Sequence, residues 1–87
     1  MTTFFALLTA YYLCDATASQ RLLTRSEVAT CATYYADVKA EFRDPGASGP
    51  AAEREAYRRF KAWEAAHPDT VRRLKANAAA QLTETTT

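Results

Sequence analysis

Both glycines and two of the three prolines of this 87-residue chain fall within one short stretch, Asp44 to Pro50 (DPGASGP). Glycine and proline interrupt regular structure more than any other residues, so this stretch is a loop that turns the chain. Everything before it is free of both, and everything after it contains only Pro68. Long unbroken segments with apolar residues at helical spacing point to one fold class, all-α.

The first such segment predicts a helix over residues 4–22. At about 100° per residue, Phe4, Phe5, Leu7, Leu8, Tyr11, Tyr12, Cys14, Leu22 and Leu23 gather on roughly half of the helical wheel. The opposite side carries Ala6, Thr9, Ala10, Ala16, Thr17 and Gln20, small enough for another helix to approach closely. Leu13 is the large apolar residue on that back face, which makes it a candidate partner contact.

Thr24-Arg25-Ser26-Glu27 matches the capping box, and Leu23 with Val28 occupies the staple positions around it. A second helix therefore starts at Arg25. Its seam of Val28, Cys31, Tyr35, Val38 and Phe42 carries it to residue 43, before Asp44-Pro45-Gly46 stops it. The continuous seam, with Thr33 where a helix-turn-helix usually carries glycine, argues for an unbroken helix. A connection of two or three residues makes the two helices antiparallel neighbours, so facing positions add to about 46 or 47. On that register Phe5 meets Phe42, Leu8 meets Val38, Tyr11 and Tyr12 meet Tyr35 and Tyr34, and Cys14 or Asp15 meets Cys31 or Ala32.

Pro50 suits the first turn of a third helix over 50–66, whose apolar stripe is Ala52, Ala56, Phe60 and Trp63 with Tyr57 beside it. His67-Pro68 breaks the pattern, because the residue before proline avoids the α region. A fourth helix over 68–82 has a narrow seam of Val71, Leu74, Ala78 and Leu82, so it either packs loosely, projects as an arm, or finishes its burial on another chain. The expectation is a single helical domain over residues 1–82, a three- or four-helix bundle, with 83–87 as a frayed tail.

Hydrophobic residues make up 48% and charged residues 24%, values that exclude a wholly disordered chain. A core this small leaves stability marginal, which favours assembly with a partner or a second copy. Alanine abundance and Arg over Lys fit a GC-rich bacterial or phage genome. Cys14 and Cys31 show no metal-binding spacing and are expected as buried free thiols rather than a disulfide. The run from Phe4 to Cys14 is too short to span a membrane. Ala16-Thr17-Ala18 fits a signal-cleavage site, yet no Lys or Arg precedes the apolar run, so the first helix reads as structural and the chain as cytoplasmic.

No pattern for a cofactor, a metal or a nucleophile with its base is present, and His67, the sole histidine, suits capping or packing better than catalysis. Asp15 falls inside the apolar arc of the first helix, where a buried carboxylate needs a partner. A tyrosine hydroxyl, Thr30 or an arginine is expected to supply it, with an exposed partner contact as the other reading. Adjacent tyrosines diverge by about 100°, so Tyr11, Tyr12, Tyr34 and Tyr35 cannot all enter one core. The sequence thus predicts a non-enzymatic interaction or assembly protein, a small structural or accessory subunit. Its candidate contacts are Tyr11, Tyr12, Leu13, Asp15 and Tyr34, for a protein partner or a homo-oligomer. The alternative is a nucleic-acid-binding regulator using Arg54, Arg58, Lys61, Arg72 and Arg73. A net charge of +1 and the acids interleaved among those cations weigh against it.

Overall fold

The second helix begins where its capping residues place it. Thr24 Oγ1 accepts the Glu27 N–H at 3.1 Å, and Glu27 Oε1 accepts the Thr24 N–H at 2.8 Å, so both halves of the capping box form. The computed structural model describes the backbone of residues 2–86 and the side chains of residues 3–83. Over that span the chain is four helices with no strand: α1 (Thr2–Ala18), α2 (Arg25–Ala40), α3 (Pro50–Ala66) and α4 (Pro68–Thr86). The bundle is 20 Å across its thinnest dimension, about two helix diameters.

Three boundaries differ from expectation. α1 stops at Ala18 rather than residue 22, and its last carbonyls are taken up in a tightened turn. Thr17 Oγ1 donates to the Leu13 carbonyl at 2.8 Å, Ser19 Oγ to that of Ala16 at 2.7 Å, and the Gln20 N–H closes a tight turn on the Thr17 carbonyl. α2 ends at Ala40, its last turn tightened by bonds from the Glu41 and Phe42 N–H groups to the Val38 and Lys39 carbonyls. α4 runs to Thr86 through the segment expected to fray, and only residue 87 of that tail lies outside the described residues.

The antiparallel register holds to within one residue. Phe4, rather than Phe5, meets Phe42, with ring centroids 5.9 Å apart. Tyr11 stacks on Tyr35 at 5.4 Å, and Cys14 lies opposite Cys31. Those two cysteines are joined by a disulfide, not held as free thiols. The bond closes a loop across a sequence separation of 17, a tie of about 3 kcal/mol in the chain-entropy account.

α1 is the central element. It packs on α2 along the hairpin and most extensively on α4, which covers its small-residue back face. The fourth helix is therefore neither an arm nor loosely attached. Leu8 and Tyr12, one turn apart on α1, are buried with Val38 of α2, Phe60 of α3, and Leu74 and Ala78 of α4. Phe4, Phe42 and Trp63 close one end of this core, Phe4 lying edge-on to Trp63 at 5.3 Å. Gly46 and Gly49, at φ of 79° and 93°, let the chain turn into α3, and no atom lies within 4 Å of where their Cβ atoms would be. His67 caps α3 as expected, donating from Nδ1 to the Trp63 carbonyl at 2.8 Å while its ring stacks on the indole.

Two substitutions follow from this packing. Leu8→Ala should lower unfolding stability by about 2–5 kcal/mol through cavity formation. Thr24→Ala should cost about 1 kcal/mol through loss of the cap. Urea unfolding followed by circular dichroism measures both, and a Leu8→Ala loss no larger than that of Thr24→Ala would contradict the placement of Leu8.

Candidate interaction surface

The structure separates the residues singled out on the first helix. Tyr12 is 3% exposed and so belongs to the core rather than to a surface. Its hydroxyl donates to Glu64 Oε2 at 2.6 Å, and Lys61 Nζ holds the other carboxylate oxygen at 2.7 Å. Burial first, and then the bond to Glu64, pushes the Tyr12 hydroxyl far above the ordinary tyrosine range. Burial likewise raises Tyr11 from 10.0 to about 12, so both phenols stay neutral at any physiological pH. Tyr11 is half-buried between Tyr35 and Phe60, and Tyr34 is half-buried on α2. Glu64 had no signal in the sequence beyond its spacing from Lys61, because its partner arrives from a helix 52 positions away.

Asp15 is not the buried, hydrogen-bonded carboxylate expected. It is exposed and lines a hollow with Tyr12, Ala16 and Lys75, while the Tyr12 hydroxyl that could have served it is committed to Glu64. Desolvation raises its pKa above the ordinary aspartate value, with the Lys75 ammonium pulling the other way. Leu13 is half-buried against the core, and it lines grooves on both sides of its helix.

Two of the exposed large apolar residues, Leu22 and Val28, lie at the turn end of the α1–α2 hairpin, and a third, Tyr57, is on α3. Because α1 ends early, Leu22 falls in the connection and is 95% exposed, while Val28, expected in the seam, is 53% exposed. Beside them is a crevice of about 230 Å³ lined by Leu13, Leu23, Thr17, Thr30 and both half-cystines. Arg21 folds over the turn and donates to both Glu27 oxygens, at 2.9 and 2.6 Å.

The basic faces of α3 and α4 are largely neutralised. Arg58 pairs with Glu55 at 3.0 Å, Lys61 with Glu64 at 2.7 Å and Arg72 with Asp69 at 2.9 Å. Arg54 and Arg73 make no ion pair among the described residues. Among those residues no three His, Cys, Asp or Glu groups converge as metal ligands, and no helix is long and apolar enough to cross a membrane. No protein-family model, curated protein or solved structure matches the chain.

The Arg21 and Thr24 bonds hold Glu27 down from 4.5 to about 2. The unfolded chain binds more protons than the folded one between those values. The stabilisation from Glu27 is therefore complete above the ordinary glutamate range and lost as pH falls toward about 2. Asp15, raised from 3.8, works in the opposite sense, and its window lies from that value upward. Unfolding midpoints of the wild type and Glu27→Gln, measured from about pH 5 to about pH 2, isolate the Glu27 contribution. The wild-type advantage should shrink across that window, and a constant difference would contradict the assignment.

Proposed function

We propose that the chain is a non-enzymatic assembly protein that associates with copies of itself through the turn end of the α1–α2 hairpin. The observation that carries this reading is Leu22, 95% exposed in the hairpin turn, next in the chain to Leu23, which lines an apolar crevice. A projecting side chain next to a receptive hollow is self-complementary, so two copies related by a two-fold axis can each insert Leu22 into the other. Solvent contact at that end is unfavourable, since burying one leucine is worth about 1.5–3 kcal/mol.

The shape of the molecule supports association. A compact monomer of 9.6 kDa exposes about 5,100 Å², whereas this chain exposes 5909 Å². The committed bonds support a non-enzymatic role, because the Tyr12 hydroxyl is held by Glu64 and His67 is engaged in capping. Nucleic-acid binding is less well supported than the sequence suggested, since three of its five cations are already ion-paired. The disulfide fits an oxidising compartment better than the cytoplasm.

Light scattering over about a hundredfold range of concentration tests the reading. The wild type should rise in mean mass toward the dimer, and Leu22→Glu should remain monomeric with unchanged circular dichroism. A wild type that is monomeric throughout would rule the proposal out, and association unaffected by Leu22→Glu would place the interface elsewhere.

A further inference from the structure

From the distribution of burial along α2 we infer that Cys14–Cys31 is a thiol–disulfide exchange site whose opening releases residues 19–33 while the rest of the bundle stays folded. The inference goes beyond the assembly reading and does not depend on it. In residues 25–33 only Glu27 and Cys31 are half-buried, and every other residue is exposed. The second half of α2 and the turn that follows it are different. Val38 is wholly buried, and Lys39 and Arg43 both pair with Glu53 of α3, at 3.0 and 2.9 Å.

The contacts that hold the first half of α2 in shape lie largely within the segment. The capping box joins Thr24 to Glu27, and the Arg21 pair joins the turn to the same glutamate. None of these reaches α3 or α4. Residues 19–21 are bonded to the end of α1, through the Ser19 N–H to the Asp15 carbonyl and the Gln20 and Arg21 N–H groups to that of Thr17, and Leu23 is half-buried at the crevice; beyond these, the strongest tie of the first half of α2 to the body is the bond from Cys31 to Cys14 on α1. A half-helix with so few apolar contacts has little free energy holding it in place once that bond opens.

The bond is also within reach of a reagent. Both half-cystines line the crevice, whose volume of about 230 Å³ exceeds that of several waters and admits a small thiol. A thiolate entering there attacks one Sγ, the S–S bond breaks, and the other cysteine leaves as a thiolate and takes up a proton. A second thiolate then attacks the mixed disulfide, freeing the remaining cysteine and leaving the reductant as its own disulfide. Two electrons pass from two reductant thiols to the cystine.

Hydrogen exchange by mass spectrometry on the whole chain, with and without dithiothreitol and without denaturant, tests this. Thiol titration should find two reactive groups per chain after reduction and none before. Exchange across residues 25–33 should then accelerate about tenfold or more, with less than about a twofold change around Val38, Phe60 and Leu74. The double variant Cys14→Ser, Cys31→Ser should show the same pattern without reductant. A bond that resists reduction until denaturant is added would overturn the inference. So would reduction that leaves residues 25–33 unchanged, or that accelerates exchange throughout the chain.

Discussion

The burial of one face of α1 holds this bundle together. Leu8 and Tyr12 stand one turn apart and are enclosed by residues of all three other helices, so the first helix supplies the surface on which the others meet. Without α1, α4 would lose its principal neighbour, and α2 would be left with the contacts it makes to α3 at its far end. The Tyr12–Glu64 bond adds direction to this burial. It ties α3 to α1 through side chains, because a buried hydroxyl and a largely buried carboxylate each require the other.

Enclosure is uneven along the hairpin. At the open end, Phe4, Phe42, Phe60 and Trp63 interlock, and ion pairs tie Asp44 to Arg59 and Lys39 to Glu53. At the turn end the apolar contacts thin out and a covalent bond takes their place. The two features proposed to matter for function, the exposed Leu22 and the exchangeable disulfide, both lie at this thinner end. That coincidence has a physical basis, since a surface not consumed by the core is free to meet a second molecule or a reagent.

The helices were legible because their signals are local. The capping box fixed the start of α2, Pro50 and Pro68 marked the starts of α3 and α4, and the register arithmetic placed Tyr11 on Tyr35 and Cys14 on Cys31. The end of α1 was not legible, because Leu22 and Leu23 extend its apolar arc beyond the turn that the Gln20 and Arg21 N–H groups close on the Thr17 carbonyl, and periodicity does not register that turn. The disulfide was misjudged although the register had set the two cysteines opposite one another, since opposition brings thiols together but composition alone does not say that they join. Glu64 could not be found from its own helix, and that omission carried over to Asp15, whose expected tyrosine partner was already taken.

The first helix is the part of the chain whose sequence most resembled a removable leader, and it is also the part on which the fold depends. Native-state hydrogen exchange as a function of denaturant tests that dependence directly. Amides around Leu8 to Tyr12 should exchange only through global unfolding, with the same free energy and denaturant dependence as those around Leu74 to Ala78 in α4. Exchange of the α1 amides through a separate, low-energy opening, with α4 still protected, would contradict the account.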